Sequence, residues 1–416
     1  MTTAGRQWTI LHKWKDRLGR WYETDFGPSR IMPMEGLRGL AIALVFLCHF
    51  QIVIMSRLSE SFHSRFFLVM AQIGGTGVDL FFVLSGMLIY RAALKPGMKY
   101  GKFLRRRVER IFPTFIAVLA LYIVVLEFTH SGAHYHAVGF RAQSLYIVEN
   151  LLLLPGVINL PAIISAAWSL SYEFSFYLAI PILVLLLRAR TWTRRSRAMF
   201  WILLIPAYLL LAYSHPSWFH SSEDFDGTYV RFTLFLAGMV VEEIVTSNGP
   251  ERFLTRPTEW LLLASAGIAF CALVLSEFRT VGLPIHESPQ HAAVRAGLLV
   301  ATYGCLALLT LRSGGLLSRL FCSTPLRWTG NISYSFYLIH AFVLNVIALV
   351  VLHLSWTRTN PRLASALLFV PALAATYAVT TILFLAIEKP WSLRPKTKRT
   401  PSPAVGNALA RAEQAG

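Results

Sequence analysis

The sequence predicts an all-α polytopic membrane protein with about ten transmembrane helices and both termini in the cytoplasm. Of its 416 residues, 55% are hydrophobic and 14% are charged, whereas soluble proteins carry about 25% charged residues. Apolar stretches of roughly 20 residues, the length that crosses a bilayer as a helix, recur along the chain. The spans are predicted at 33–54, 69–91, 112–130, 163–187, 198–213, 229–246, 259–277, 293–311, 328–354 and 363–388.

The positive charge of the chain follows this topology. The formal net charge is +18, a value that also suits nucleic-acid binding. With a cytoplasmic N-terminus, however, the cytoplasmic segments hold roughly 30 of the Lys and Arg residues and the external loops about 6, as the positive-inside rule requires. The basic excess therefore indicates orientation in a lipid membrane, and no nucleic-acid partner is expected.

Three parts are predicted along the chain. Residues 1–32 form a cytoplasmic lead, residues 33–391 the membrane domain, and residues 392–416 a cytoplasmic tail that is expected to be disordered. Within the external excursion at 131–162, the segment LYIVENLLLLPGV is too short to span and is expected to be a re-entrant or an interfacial helix. The four cysteines lack CxxC spacing, so neither a disulfide framework nor a metal site is predicted.

Arg38 and His49 are the first candidate site residues. Both lie in the first span, where ionisable side chains are costly and usually face the protein interior. Their spacing places them on nearly one helix face, about 16 Å apart along the axis. His49 is predicted to be a general base for an acceptor hydroxyl, and Arg38 to bind an anionic group of a donor. A structural hydrogen bond for His49 and a topogenic or snorkelling Arg38 remain the alternatives.

A dense basic cluster precedes the third predicted span. It consists of Arg105, Arg106, Arg107 and Arg110. On a helix, Arg107 and Arg110 share a face because they are three positions apart, and such a pair at a membrane surface suits a polyphosphate. The positive-inside signal and binding of anionic lipid headgroups explain the cluster equally well at this stage.

Polar residues near the predicted bilayer middle form a second group of candidates. Glu173 is predicted to orient His49 or to bind a substrate hydroxyl, since a carboxylate at this depth is rarely without a role. Trp168, Ser169 and Tyr172 lie close to it in sequence and are candidates to line a sugar site, with helix packing as the alternative.

Four further ionisable residues lie within spans or at their ends: Asp79, Arg231, His340 and Glu388. Asp79 is expected to pair with Arg38, His49 or another buried cation. For the other three the structural interpretation is favoured. Asp79, Arg231 and His340 nevertheless remain candidates to line the site.

Taken together, these residues resemble the acyltransferase-3 family of integral membrane acyltransferases. The resemblance covers about residues 33–391, and its pieces follow the family order. The matching pieces are Arg38-x10-His49, GVDLFFVLSGMLI at 77–89, RRRVERIFP at 105–113, WSLSYEFSFYL at 168–178, RFTLFLAGM at 231–239, NISYSFYLIH at 331–340 and EKP at 388–390. The family also has ten spans.

The resemblance implies an O-acyltransferase that takes an acyl group, usually acetyl, from cytoplasmic acyl-CoA. The implied acceptor is a hydroxyl of an envelope polysaccharide, a lipopolysaccharide or another lipid-linked sugar. His49 is implied as the key catalytic residue, Glu173 as a further catalytic-site residue, and Arg38, Arg107 and Arg110 as donor-binding residues. Acyl-CoA enters as a co-substrate, and no tightly bound cofactor is expected.

The resemblance also bears on location and partners. The expected location is the bacterial inner membrane. Many relatives carry an extracytoplasmic hydrolase-like domain, so this chain is expected to act alone or with a separate partner.

Two chemical routes and two other classes of function remain open. His49 either deprotonates the acceptor hydroxyl directly or carries the acyl group briefly as a nucleophile. A transporter or flippase for a glycan intermediate also needs polar residues near the bilayer middle, and a membrane sensor or scaffold is the third class. The ordered motifs favour acyl transfer over both.

Overall fold

Long helices make up nearly all of the described chain. The computed structural model describes residues 18–19, 21–23, 31–55, 65–129, 139–157, 160–215, 218, 228–246, 255–282, 288–311, 315–352 and 361–393. Within these ranges the chain forms thirteen α-helices and no β-strand. They are α1 (Met32–Phe50), α2 (Arg65–Leu94), α3 (Tyr100–Thr129), α4 (Phe140–Leu151), α5 (Trp168–Leu186), α6 (Arg194–Ser214), α7 (Phe232–Val245), α8 (Arg256–Thr280), α9 (Pro289–Leu311), α10 (Leu316–Phe321), α11 (Thr324–Asn331), α12 (Ser333–Leu352) and α13 (Pro361–Leu383).

Nine helical segments in the described ranges are long and apolar enough to cross a membrane, which confirms the predicted all-α polytopic architecture. They are Met32–Ile54, Arg65–Leu94, Tyr100–Thr129, Ser165–Leu186, Arg194–Ser214, Arg256–Thr280, Gln290–Leu311, Ser333–Val351 and Leu363–Ser392. The first extends α1 into a π-helical turn at Gln51–Met55, and the last extends α13 into a π-helical segment at Phe384–Ser392. Such segments often occur at functional sites, and the second one carries Glu388.

The tenth predicted span, 229–246, differs from the others. It folds as a 3-10 turn at Thr228–Arg231 followed directly by α7, a helix of 14 residues. Its last turns carry Glu242 and Glu243, both buried and paired with Arg91 and Arg197 at 2.7 and 2.5 Å. The helix packs against α2, α6 and α9. Much of its apolar surface is therefore buried in protein, and by length and composition nine segments of the described ranges qualify as spans, without this one.

Two helix boundaries differ from the hydropathy prediction in ways that matter for the site. α3 begins at Tyr100, so the basic segment before the predicted span 112–130 forms its first turns. The predicted span 328–354 is divided at Ile332 into α11 and α12. The Tyr334 hydroxyl donates to the Ile111 carbonyl oxygen at 2.8 Å. The start of α12 therefore lies beside the basic part of α3.

The short segment in the predicted external excursion is also helical. α4 has 12 residues, too few to cross a bilayer. The Asn150 side chain accepts a hydrogen bond from the Ile163 backbone N–H at 2.8 Å, which ties α4 to the chain that leads into α5. The predicted tail at 392–416 and the lead at 1–32 lie outside the described residues except for the few positions given above.

α1 lies at the centre of the helices that form the site. It packs against α2, α11 and α12, and α2 in turn packs against α5 and α7. Leu37, Ala41, Ile42 and Val45 recur at helical intervals on α1 and are fully buried. By contrast, α6 and α8 expose most of their apolar side chains, as helices at a lipid boundary do.

α2 and α7 approach each other closely through two glycines. A Cβ placed on Gly86 would overlap the carbonyl of Phe235, and one placed on Gly238 would overlap the carbonyl of Val83. Small residues permit such backbone contacts in membrane bundles. This contact also positions Ser85, the neighbour of Gly86, against the site described below.

Gly86→Ala is therefore expected to destabilise the folded protein by at least about 1–3 kcal/mol, the usual cost of overpacking. The thermal unfolding midpoint of the purified protein in detergent should fall. Gly304→Ala is a matched control, because a carbon added there meets nothing within 4 Å and alanine favours a helix. Equal midpoints for the two variants would contradict the close contact between α2 and α7.

Candidate active site

A cavity of about 130 Å³ lies between α1, α2, α3, α5 and α12. Its wall combines apolar and polar side chains. The polar lining residues are Arg38, Ser85, Arg107, Arg110, Ser169, Glu173, Tyr177, Ser333, Tyr334 and Tyr337. Five of these were predicted as site residues, and the fold brings them to one cavity from three separate helices.

Arg107 places its guanidinium group in this wall between two aromatic rings. Its Cζ atom lies 5.3 Å from the ring centroid of Phe103 and 5.4 Å from that of Tyr177, within the range of cation–π attraction. Its Nε atom is buried, and no described group accepts a hydrogen bond from it. Since buried donors are rarely left without a partner, Arg107 retains donor capacity for a ligand in the cavity.

Arg110 forms an ion pair with the fully buried carboxylate of Glu388. Arg110 Nη1 lies 2.7 Å from Glu388 Oε1. The second carboxylate oxygen accepts hydrogen bonds from the backbone N–H and the hydroxyl of Ser335 at 3.0 and 2.5 Å. Glu388 is thus held by an ion pair and two hydrogen bonds, and its partner Arg110 was not foreseen. A guanidinium group has five N–H donors, so Arg110 keeps donors for the cavity.

Glu173 binds two hydroxyl groups in the cavity wall. Ser85 Oγ donates to Glu173 Oε1 at 2.5 Å, and the Tyr177 hydroxyl donates to the same oxygen. A contact with His49, one of the two predicted roles of Glu173, is not found among the hydrogen bonds of the described residues. Ser85 and Tyr177 were not singled out from sequence, although both belong to motifs that carry the family resemblance.

Arg38 lines the same cavity from α1. Its Nη2 atom donates a hydrogen bond to Ser333 Oγ, at the start of α12, at 3.1 Å. Arg38, Arg107 and Arg110 bring three positive charges to the site, and Glu173 and Glu388 bring two negative ones. The site is therefore net positive, which favours an anionic ligand.

His49 lies beyond the cavity, in contact with His340. The two ring centroids are 4.6 Å apart, and the ring planes meet at 83°. Tyr337 connects this pair to the cavity, because it lines the cavity and its ring centroid is 5.9 Å from that of His340. The Tyr337 hydroxyl donates to the Ala166 carbonyl oxygen at 2.6 Å and accepts from Ser169 at 2.7 Å. His340, for which a structural role was favoured, is thus a direct neighbour of His49.

Both predicted residues of the first span face the same helix. Arg38 bonds to Ser333, and His49 contacts His340. The first contact lies nearer the N-terminal ends of both α1 and α12, and the second lies further along both helices. The two helices therefore run side by side in parallel. The interface between α1 and α12 therefore extends from Arg38 in the cavity wall to the imidazole pair.

The other predicted lining residues lie outside the cavity. Asp79 is fully buried and faces Arg231, whose Nη1 atom is 3.7 Å from Asp79 Oδ1. Arg231, which is half-buried, therefore supplies the cationic partner that was expected for Asp79. Arg231 also stacks on Trp168, with Cζ 4.9 Å from a ring centroid of the indole, and Tyr172 packs among neighbouring aromatic rings. Of the tryptophan, serine and tyrosine predicted near Glu173, only Ser169 lines the cavity.

A net-positive cavity that ends near two imidazoles suits an anionic substrate and a step in which a proton or a group is transferred. The helical fold and this site define a polytopic membrane protein with a cationic cavity next to an imidazole pair. The chain belongs to the acyltransferase domain family, whose profile matches residues 34–385.

Similar curated proteins include two named for acetyl transfer. The peptidoglycan O-acetyltransferase OatA of Listeria monocytogenes serovar 1/2a is 25% identical over 386 residues, which cover 88% of this chain and 56% of the relative. The O-acetyltransferase OatA of Staphylococcus aureus strain NCTC 8325 is 25% identical over 335 residues, which cover 76% of this chain and 51% of the relative. The chain spans about half the length of these relatives. No solved structure matches the chain significantly.

Proposed function

We propose that this protein is an O-acyltransferase of the bacterial inner membrane. It transfers an acyl group, acetyl in the first instance, from cytoplasmic acyl-CoA to a hydroxyl of a cell-envelope carbohydrate. Membership of the acyltransferase domain family and the similarity to a peptidoglycan O-acetyltransferase support this activity. A peptidoglycan-type glycan is therefore the first acceptor to test, followed by lipopolysaccharide and other lipid-linked sugars.

The meeting of Arg38, Arg107 and Arg110 at one cavity is the observation behind this function. Acyl-CoA is polyanionic, and guanidinium groups suit the geometry of phosphates. Arg107 and Arg110 lie in the first turns of α3, close to the short connection from α2 at 95–99. The donor phosphates bind to these two residues, and the thioester arm passes Arg38 along α1 towards His49.

His49 is the catalytic residue in this mechanism. Its Nδ1 atom lies 3.0 Å from the Val45 carbonyl oxygen, which only accepts hydrogen bonds, so Nδ1 carries the proton and Nε2 the lone pair. This tautomer suits either a general base or a nucleophile. Glu173 contributes by holding Ser85 and Tyr177 in the wall that faces the thioester arm.

The direct test is acetyl transfer from a thioester by the purified full chain in lipid vesicles. The protein is supplied with isotopically labelled acetyl-CoA and soluble peptidoglycan fragments, and labelled ester and free CoA are quantified by mass spectrometry. We expect both products in equal amounts. If neither forms and the vesicles instead move a glycan intermediate across the bilayer, the flippase alternative is correct.

Arg107→Gln is expected to raise the KM for acetyl-CoA by about 10- to 100-fold, because a hydrogen bond to a charged group contributes about 1.5–3 kcal/mol. The kcat should change less, since Arg107 acts on the donor. Arg105→Gln is the matched control: it removes the same charge from the same helix, but its side chain is 81% exposed and pairs with Glu109. Equal KM increases in the two variants would mean that overall positive charge, rather than the cavity, attracts the donor.

A further inference from the structure

We infer that His340 is a second catalytic residue, on the basis of the acyl transfer proposed above. His49 carries the acyl group, and His340 is the general base that deprotonates the acceptor hydroxyl. This assignment selects the two-step route over direct transfer between two substrates bound together.

The tautomer of His49 makes a second base necessary for that route. The Val45 carbonyl oxygen holds the proton on Nδ1, so Nε2 is the one nitrogen that can attack a thioester. Once Nε2 holds an acyl group, the ring is a cationic acyl-imidazolium, and its Nδ1 atom keeps its proton and faces the Val45 carbonyl oxygen. Acylated His49 therefore cannot deprotonate the acceptor, and another base must lie beside it.

His340 has the state that this base requires. Its Nδ1 atom lies 2.7 Å from the Tyr337 carbonyl oxygen and 3.2 Å from that of Phe336. Carbonyl oxygens only accept hydrogen bonds, so Nδ1 carries the proton and Nε2 the lone pair. His340 is 0% exposed, and no described group donates to Nε2. Native structures contain few such buried atoms without a partner, and a substrate hydroxyl accounts for this one.

The two imidazoles are close enough to serve one reaction. Their centroids are 4.6 Å apart, so an acyl carbon on His49 and a hydroxyl bound at His340 occupy neighbouring positions. The three carboxylates described above are engaged elsewhere in the described structure, Glu388 with Arg110. Glu173 accepts from the hydroxyls in the cavity wall, and Asp79 faces Arg231.

Tyr337 lies at the boundary between the donor cavity and the imidazole pair. Its side chain lines the cavity, while its carbonyl oxygen holds His340 in place. His49 and His340 themselves are not among the described residues that line the cavity. The imidazole pair is therefore adjacent to the donor cavity without forming part of its described wall.

The reaction proceeds in two steps. In the first, His49 Nε2 attacks the thioester carbonyl carbon, the C–S bond breaks, and CoA leaves as the thiolate. In the second, His340 Nε2 takes the proton of the acceptor hydroxyl while its oxygen attacks the acyl carbon, and the C–N bond breaks with its electron pair returning to His49. The proton then passes from His340 through water to the thiolate, so the products are the ester and free CoA.

Rapid-quench assays of the purified full chain with acetyl-CoA separate the two half-reactions. His340→Asn keeps an N–H group near the position of Nδ1 and removes the base at Nε2. We expect this variant to release about one equivalent of CoA and to hold the acetyl group on His49, as located by mass spectrometry. Its transfer of acetyl to soluble peptidoglycan fragments should fall about 100- to 10,000-fold, the usual contribution of a general base. His49→Ala should release no CoA.

Two further variants make the assay specific. His340→Gln places an amide oxygen near the position of Nε2, which accepts a hydrogen bond but is not basic, so it should fail in the same way as His340→Asn. His291→Asn is the control, because His291 bonds to Ser276 and Thr280 away from the site, and it should behave as wild type. Thermal unfolding midpoints establish that each variant is folded.

Four outcomes would overturn the role of His340 as the base. They are restored transfer in His340→Gln, unchanged transfer in both His340 variants, loss of CoA release in folded His340→Asn, and wild-type CoA release that requires the acceptor. The last result indicates direct transfer and leaves the proposed function intact. Wild-type protein that releases no CoA under any condition would instead overturn the proposed function, and the role of His340 with it.

Discussion

His49→Ala is expected to reduce acyl transfer by at least about 100- to 10,000-fold, the contribution typical of a general base. Alanine provides neither a base nor a nucleophile at this position. Donor binding should be unchanged, because the described lining of the cationic cavity does not include His49. Turnover is measured with labelled acetyl-CoA, and donor affinity is measured by binding of CoA without acceptor.

The control for this variant is His291→Ala, which removes an imidazole from α9, away from the site. Its turnover should equal that of the wild type. Turnover close to the wild-type value in His49→Ala would exclude His49 as the catalyst. His340 and Glu173 would then be the next candidates.

Arg110→Ala is expected to destabilise the protein by about 3–5 kcal/mol, because it leaves a buried carboxylate without its cation. Glu388 is 0% exposed, and Arg110 Nη1 lies 2.7 Å from its Oε1 atom. After the substitution, the hydrogen bonds from Ser335 to the other oxygen remain, but they do not neutralise the charge. The free energy of unfolding in detergent, from chemical denaturation, gives the measurement.

Combining Arg110→Ala with Glu388→Gln should recover most of this loss, since a neutral amide no longer needs a cation. The double variant also isolates the donor role of Arg110, because it should fold and yet bind acetyl-CoA more weakly than the wild type. A double variant as unstable as Arg110→Ala would show that the ion pair is not the cause of the instability.

The membrane architecture was predictable because hydropathy is a local property of the chain. The predicted span 33–54 matches Met32–Ile54, and 69–91 lies within Arg65–Leu94. Hydropathy does not separate a helix that faces lipid from one buried in protein, and 229–246 contains α7, which is largely buried. The ion pairs of Glu242 and Glu243 with neighbouring helices distinguish the two cases, and they appear only when the helices are packed.

Part of the candidate site was also predictable from spacing. Arg107 and Arg110 share a helix face, and both line the cavity. Their partners could not be predicted in this way. Arg110 and Glu388 are separated by 278 positions, and Ser85 reaches Glu173 from a different helix.

By itself, the sequence determined the class of fold, the approximate limits of its spans, and the residue types available for chemistry. Only the tertiary structure decided that His340 contacts His49, that Arg231 faces Asp79, and that Glu173 binds hydroxyl groups instead of an imidazole. The physical reason is that hydropathy and helical spacing act along one segment. Side-chain partners depend on which helices pack together, and close contacts between distant segments, such as Gly86 on the Phe235 carbonyl, decide that packing.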